Sequence, residues 1–439
     1  MISKVLKNIF KIPDLRERVL FTLMILAIYR LGIFVSTPGV NRTVMAKIMS
    51  AKGSSTLLGL FNMFAGGAIE HLSIFALGIM PYISSSIIMS LLAVVVPKIG
   101  ELQKDGDQGY RKITQYTRYG TVLLCVFQGF MMAKFLESLN GPSGEVVVNT
   151  PGWFFRIITV ITLTTGTLFL MWLGEQITDR GIGNGVSLII FASIVARFPN
   201  MFFQMGQYLS EQMIKPHQVL IFALIMVAAF ALIVFVESSQ RRIPVQYARR
   251  VAGGTKIQTS HIPLRINTSG VIPPIFASAL LVFPATISSF FQFDMGPMQT
   301  WMHPGGWLYN FLYLVLITFF AYFYTFVQFK TEDVAENINK QGGYIPGIRP
   351  GKETVNYINT VLSRITFGGA VYLSVICILP DVFRNKMGLP FYSMGGTSIL
   401  IVVGVAMDMA SQIESYLINN NYEGFSIGGK GSLVKSRRG

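Results

Sequence analysis

The chain has 439 residues, of which 51% are hydrophobic and only 13% are charged, and its formal net charge is +15. Because soluble domains carry about 25% charged residues, this composition excludes an ordinary soluble enzyme or binding domain. It favours a chain with many segments inside a membrane, and the basic surplus then indicates basic loops on one side of that membrane.

Apolar runs that approach the length of a membrane span recur along the whole sequence. A spanning helix needs about 20 mostly apolar residues, because the hydrocarbon core is about 30 Å thick. Ten such runs occur, at about 19–37, 72–96, 114–135, 153–174, 184–203, 217–236, 270–291, 307–328, 365–381 and 395–413. The sequence therefore predicts an all-α polytopic membrane protein with ten transmembrane helices and with both termini on the same side.

Lysine and arginine are concentrated in alternate loops. They are frequent before the first run, in the loops at 97–113, 237–269 and 329–364, and in the C-terminal tail, whereas 136–152 and 292–306 contain neither residue. The positive-inside rule then places both termini and the long loops in the cytoplasm. The segment 38–71, with Arg42, Lys47 and Lys52, fits this alternation least well.

A shorter apolar stretch, LLGLFNMFAGGAI at 57–69, lies in that same segment and ends before Glu70 and His71. It is too short to cross a bilayer, and its glycines lower its helix propensity. A short apolar piece at this depth must be buried in protein or line a cavity. The pattern alone fits either a re-entrant helix packed on its neighbours or a half-helix that closes a channel.

The predicted spans contain few ionisable side chains, chiefly Arg30 and Asp408. The four histidines lie in loops or at span edges, and no HExxH motif or nucleophile–base set is present. We therefore expect no enzyme, no catalytic residue, no metal and no cofactor. Ion-coupled transporters keep ionisable residues at the midplane. A ten-span secondary transporter with broken helices nevertheless stays the alternative, because of the short segment and the Gly and Pro breaks.

Several long strings resemble the SecY family in sequence and in order. They include FNMFAGGA at 61–68, SIFALGIMPYISSSII at 73–88, QRRIPVQYARR at 240–250, GVIPPIFASALLVFPATI at 270–287 and GGYIPGIRPGKET at 342–354. The resemblance runs from about residue 16 to 424. It implies two inverted five-helix halves, at about 1–210 and 211–439, around an hourglass pore. The implied function is a passive, gated channel that translocates unfolded secretory polypeptides across the inner membrane and releases membrane segments sideways into the lipid.

The resemblance also implies an apolar ring at the narrowest point of the pore. Its members are Ile79, Ile83, Val186, Ile190, Ile275 and Ile401. The spacing independently places Ile79 with Ile83, and Val186 with Ile190, on one helix face each. Because a narrow aliphatic ring offers ions no ligands and dewets, it would block ions and still deform around a polypeptide.

Two further features follow from the resemblance. The stretch 57–69 would be the plug that closes the pore from outside, through Leu60, Phe61, Asn62, Met63, Phe64, Gly66 and Gly67. A lateral gate between spans 2–3 and 7–8 would be formed by Ser84, Ser85, Ile87, Ser90, Gln115, Asn267, Ala279 and Phe283. We expect Pro81, Pro273 and Pro274 to interrupt the gate helices and help them bend.

The long basic loops are the implied docking surface for partners that supply energy. The residues assigned to binding the SecA ATPase or the ribosome are Arg241, Arg242, Arg249, Arg250 and Arg349. Arginine suits both partners, because it forms bidentate contacts with carboxylates and phosphates. The other implied partners are the SecE and SecG subunits, signal sequences, nascent or preprotein chains, and membrane lipids. The implied location is the cell inner membrane, multi-pass, with both termini cytoplasmic.

Overall fold

The computed structural model describes residues 12–52, 65–139, 145–251, 254–291, 306–387 and 395–429. Two compact units are present, each built from separate stretches of the chain. Unit 1 comprises Met1–Ser86, Arg111–Asn200 and Val405–Gly439, and unit 2 comprises Ile87–Tyr110 and Met201–Gly404. The division into halves at about residue 210 stays a prediction, and each unit is described by itself.

Helices dominate both units. In chain order they are α1 (Pro13–Ile33), α2 (Arg42–Lys52), α3 (Met80–Val95), α4 (Pro97–Lys104), α5 (Gly106–Ser138), α6 (Trp153–Arg180), α7 (Gly185–Val195), α8 (Phe198–Ser210), α9 (Pro216–Ser238), α10 (Ile272–Phe291), α11 (Trp307–Gln328), α12 (Thr331–Lys340), α13 (Lys352–Met387) and α14 (Gly396–Gly429). Three strands, β1 (Gln240–Val251), β2 (Gly254–Arg265) and β3 (Gly343–Tyr344), form one sheet in the order β2-β1-β3.

Each of the ten apolar runs overlaps a helix or a pair of consecutive helices. Within the described ranges, seven helical stretches are long and apolar enough to cross a membrane, and two of them join consecutive helices, α7 with α8 and α11 with α12. They are Gly106–Ser138, Trp153–Arg180, Gly185–Ser210, Pro216–Ser238, Trp307–Lys340, Lys352–Pro380 and Gly396–Leu417. The three remaining runs fall on α1, α3 and α10, and the described apolar parts of α3 and α10 are shorter, at Met80–Val95 and Ile272–Leu281.

Two runs are less regular than their hydrophobicity suggests. The run at 72–96 becomes helical only at Met80, and residues 65–79 before it form a series of turns. The run at 184–203 is divided by a turn at 196–197, where α7 ends and α8 begins. Pro199 explains the second break, because a proline lacks the backbone N–H that a continuous helix would need and disfavours helical backbone just before it.

The expectation that prolines interrupt the gate helices is wrong, because these prolines lie in the first turn of their helices. Pro81 is the second residue of α3, and Pro273 and Pro274 are the second and third residues of α10. The first backbone N–H groups of a helix have no partner within it, so a proline there costs little and favours helix initiation. These prolines therefore begin the two helices instead of bending them.

A separate apolar core lies in unit 2, beneath the sheet. β1 and β2 pair in antiparallel register from Gln240 opposite Arg265 to Val251 opposite Gly254, and Gln246 of β1 pairs with Tyr344 of β3. The buried side chains of this core are Ile243, Val245, Leu264, Ile338, Ile345 and Ile358. They come from β1, β2, α12, the β3 region and the start of α13, so the two long basic loops fold together as one module.

Candidate functional site

Four of the six predicted ring residues belong to unit 1. Ile79 is buried at the end of the turn segment, and Ile83 follows it one helical turn later in α3, with its N–H donating to the carbonyl of Ile79 (3.2 Å). Val186 and Ile190 lie one turn apart on α7. Helix α7 contacts α6 closely, because Gly174 and Gly185 have no side chains between the two backbones. The close contact fixes the start of α7, and with it Val186.

The other two ring residues, Ile275 and Ile401, are both buried in unit 2. Ile275 lies near the start of α10 and Ile401 lies in the first part of α14. Gly404 of α14 faces Val271, the residue before α10, since a Cβ at Gly404 would lie only 2.9 Å from the Val271 side chain. The six residues thus form two groups in different units, and their closure into one ring stays a prediction.

The plug prediction falls mostly outside the described residues. Leu60, Phe61, Asn62, Met63 and Phe64 lie there, whereas Gly66 and Gly67 are described. Both glycines adopt positive φ, +65° and +92°, which L side chains rarely take. The residues just after them, Ala68 and Ile69, are fully buried. The end of the predicted plug is therefore a packed turn.

A hydrogen-bonded anchor holds this turn to α1 and α7. The Tyr29 hydroxyl lies 2.6 Å from the Ser193 hydroxyl, and Ser193 donates to the carbonyl of Ile189 (2.8 Å). Because a serine hydroxyl has a single hydrogen, Tyr29 is the donor to Ser193. Gly66 fits against this pair, since a Cβ there would lie 2.9 Å from the Tyr29 oxygen and 3.1 Å from Ser193. Arg30 donates from Nη1 to the Gly66 carbonyl (3.1 Å).

Sequence reasoning did not find this anchor. Tyr29 and Ser193 are 164 residues apart, and neither belongs to a motif that marks the pair. The sequence marks Arg30 only as an ionisable residue within a predicted span. A partial signal was present, because a charged residue inside a membrane span faces protein or a cavity and has a defined partner.

One predicted gate residue of span 2, Ser85, bonds within its own unit. The Ser85 hydroxyl is buried and donates to the Thr117 carbonyl of α5 (2.7 Å), where Gly120 leaves room for it. Ser84 is half-buried and Gln115 is exposed on the same pair of helices. A hydrogen bond of this type between membrane helices contributes about 0.6 kcal/mol on average. Ser85 therefore joins spans 2 and 3, and does not bond across a seam.

On the unit 2 side, Asn267 is buried just before α10. Its amide donates to the Glu237 carboxylate at the end of α9 (2.6 Å) and to the Gly270 carbonyl (3.0 Å). Ile87 and Ser90 on α3 and Ala279 on α10 are half-buried, and the side chain of Phe283 lies outside the described part. Asn267 thus ties the base of the β1–β2 hairpin to the start of α10.

An aromatic cavity in unit 2 was not predicted. It has a volume of about 1040 Å3 and lies between the end of α3, the start of α4 and helix α11. Its aromatic lining is Phe319, Tyr322, Phe323 and Phe326. The spacing of these residues places them on one face of α11, so the pattern was available in the sequence. The cavity adjoins spans 2 and 8, two of the four helices predicted to form the gate.

The basic loop residues are carried by the folded module. Arg241 and Arg242 are exposed at the start of β1, and the side chains of Arg249 and Arg250, farther along the same strand, lie outside the described part. Arg349 is exposed in a turn between Gly347 and Gly351, which have φ of +80° and +101°. The Thr354 hydroxyl donates to the Arg349 carbonyl (3.0 Å) and so fixes the turn to the start of α13.

The described residues contain no group of three or more His, Cys, Asp or Glu side chains that could hold a metal ion. Cys125 and Cys377 are free and buried.

Comparison with known proteins decides the family. The sequence profile of SecY matches residues 73–410. The protein translocase subunit SecY of Escherichia coli strain K12 is 45% identical over 417 residues, covering 93% of this chain and 93% of that protein. The chain belongs to the SecY family. The corresponding subunit of Rickettsia felis is also 45% identical over 417 residues and covers 94% of this chain and 95% of its own length. The resemblance seen in the motifs is confirmed.

Solved structures agree with this assignment. A protein-conducting channel superposes with a TM-score of 0.65 at 16% identity, covering 91% of this chain and 92% of its own. A SecY structure, reported for a plug domain that stabilises the closed translocation channel and maintains a membrane seal, gives 0.63 at 16% identity over the same shares. Canine Sec61 in the ribosome–channel complex from the endoplasmic reticulum gives 0.63 at 15% identity, again over 91% and 92%. The predicted all-α membrane fold of this family is thus confirmed.

Proposed function

We propose that this chain is the channel-forming subunit of a protein translocase, a passive and gated path for unfolded polypeptides. The observation that carries the proposal is the family membership, with 45% identity across 93% of the chain to a protein translocase subunit. The aliphatic character of the predicted ring residues supports the proposal. In this proposal the free energy for transport comes from partners.

The closed state would be held by the ring and by the anchored plug. Aliphatic side chains give ions no substitute for their hydration shell, so a narrow ring of them is a barrier to ions. The plug would rest on the ring from outside, and the turn at Gly66 and Gly67 would be its fixed base. Movement of the plug would then begin before Ala65, because Ala68 and Ile69 are buried and Gly66 is hydrogen-bonded.

Membrane segments would leave sideways near the aromatic cavity. Signal sequences and membrane helices are apolar, and the rings of Phe319, Phe323 and Phe326 offer them an apolar surface in unit 2. Separating the gate residues named above would cost little free energy, because single hydrogen bonds in membranes contribute only about 0.6 kcal/mol. That spans 2–3 form one side of the gate and spans 7–8 the other is part of this proposal.

The basic module would be the docking site for the motor or the ribosome on the cytoplasmic side of the inner membrane. Positive-inside topology explains the charge of these loops but not their own apolar core. A core of six buried residues holds Arg241, Arg242 and Arg349 on a defined scaffold, as a docking surface requires. The relative from the canine complex is bound to a ribosome, and SecA, SecE and SecG enter as proposed partners.

Export in reconstituted vesicles tests this function. Vesicles containing the chain with its SecE and SecG partners should protect an unfolded preprotein from protease when SecA and ATP are added. Arg349→Glu should reduce protection at least tenfold, because it reverses a charge at the exposed tip. Arg349→Lys should retain part of the activity, since lysine keeps the charge but loses the bidentate geometry.

The exposed Lys352 lies three residues away and provides the control. Lys352→Glu introduces the same charge change and should leave most of the export activity. Export by Arg349→Glu at the wild-type rate would contradict the docking role of Arg349. The absence of ATP-dependent protection in vesicles with all partners present would contradict the function itself. Ion-driven uptake of a small solute by the chain would favour a secondary transporter instead.

A further inference from the structure

An apolar groove lies on unit 1 between α5 and α6, and none of the residues that line it belongs to the predicted ring. Its volume is about 530 Å3, and its walls include Leu123, Phe127, Ile157 and Ile161, each at least half exposed. The two helices are in contact beneath it, because Gly129 has no side chain and its α-carbon faces Val160. The groove is therefore a slot with a closed floor and with walls of aliphatic and aromatic side chains.

One end of the slot is framed by rings and cations. Phe130 and Trp153 face each other with their ring centroids 6.1 Å apart. The Lys134 ammonium lies 5.5 Å from the Phe130 ring centre, and the Arg156 guanidinium lies 5.3 Å from that of Trp153. Aromatic rings with cations beside them are typical of the level where lipid headgroups begin.

The charges at this end do not cancel. Glu137 binds Arg156 through its carboxylate (2.6 Å) and accepts the Gly152 N–H (3.0 Å). This fixes the carboxylate and takes up the Nε and Nη2 groups of the guanidinium. Two cations thus face one carboxylate, which gives the mouth one net positive charge. Lys134 is the exposed cation of the set.

We infer that this groove binds one anionic phospholipid, such as phosphatidylglycerol. One acyl chain would occupy the apolar slot, and the phosphate would lie at the mouth near the Lys134 ammonium. The volume of about 530 Å3 suits a chain-like ligand. The inference does not depend on transport activity.

Fluorescence of Trp153 reports directly on the mouth, because 68% of this side chain is exposed. The test uses the full chain assembled with its partners in lipid nanodiscs, with Trp172, Trp301 and Trp307 replaced by Phe. Phosphatidylglycerol with brominated acyl chains, which quench tryptophan on contact, is compared with brominated phosphatidylcholine. The anionic lipid should reach half-maximal quenching at a mole fraction about fivefold lower, which corresponds to one basic side chain near the headgroup.

Lys134→Gln should remove this preference and bring the two quenching curves together, whereas Lys134→Arg should keep it. Lys215→Gln is the control, because Lys215 is also exposed and precedes a membrane helix but is not among the residues that line the groove. Equal quenching by both lipids in the unmodified chain would overturn the inference, as would a preference that survives Lys134→Gln. Protection of Trp153 from both lipids would also overturn it, because a protein partner would then cover the groove.

Discussion

Two neighbouring glycines near the predicted pore have the same backbone requirement but different surroundings. Gly66 and Gly67 both have positive φ. A Cβ at Gly66 would press on Tyr29 and Ser193, whereas a Cβ at Gly67 would meet nothing within 4 Å. Replacement of each by alanine therefore separates the cost of backbone strain from the cost of displacing the anchor.

We expect Gly66→Ala to loosen the base of the plug more than Gly67→Ala does. Both variants carry backbone strain of about 1–2 kcal/mol. Only Gly66→Ala adds overpacking of about 1–3 kcal/mol against the anchor. In planar bilayers, Gly66→Ala should therefore open spontaneously at least fivefold more often than Gly67→Ala. Equal opening frequencies for the two variants would show that the anchor does not stabilise the closed channel.

Single residues also show where sequence reasoning stops. The resemblance assigns Ser85 and Asn267 to the lateral gate, which stays a prediction, and it does not give their hydrogen-bond partners. Ser85 bonds to the Thr117 carbonyl and Asn267 to Glu237. Both partners lie in the same unit as the residue itself. Which of several nearby acceptors a buried side chain selects depends on packing, and no periodicity in the sequence encodes it.

Among the elements, the membrane helices were predictable and the loop module was not. Ten apolar runs lead to ten helical regions because a span must be both apolar and long. The strands were missed although Ile243, Val245 and Tyr247 alternate with more polar residues along β1. Their hydrophobic faces become evident only when α12 and the start of α13 are known to cover them.

Ile345 is the residue through which the module can be tested. It is 3% exposed and lies in the module core, whereas Ile348, three residues on, is only half-buried at its rim. Ile345→Ala should destabilise the module by about 2–5 kcal/mol. Trypsin should then cleave within β1 and β2 at least thirtyfold faster, since local opening frees the backbone next to their basic residues for the protease. Ile348→Ala should change the rate much less, and equal acceleration would argue against a cooperative core.

The plug segment can be shortened in two ways that differ at its anchored end. Deletion of 60–64 leaves Gly66, Gly67 and Ala68 in place, whereas deletion of 60–68 removes them. We expect both chains to leak ions more often than the full chain. Only the longer deletion should also lower thermal stability, because Ala68 is fully buried and the Gly66 carbonyl accepts from Arg30. Equal melting temperatures for the two deletions would contradict a structural role for the turn.

For the whole molecule, an apolar interior and basic loops on one side are two parts of the same proposal. The chain carries a net charge of +15, yet the six predicted ring positions hold only isoleucine and valine. Family membership could be predicted from the sequence, because several long strings resemble the SecY family both in their residues and in their order along the chain. The ring was foreseeable only through that resemblance, because aliphatic residues in membrane helices mostly pack or face lipid.

Crosslinking from the predicted ring to a translocating chain tests the proposed path most directly. A photoreactive amino acid at Ile83 or Ile190 is combined with a preprotein stalled halfway through export. We predict crosslinks to the preprotein from both positions. Leu123 and Leu224, which are 69% and 68% exposed, serve as lipid-facing controls and should give none. Crosslinks from the controls but not from Ile83 and Ile190 would contradict a polypeptide path past the ring.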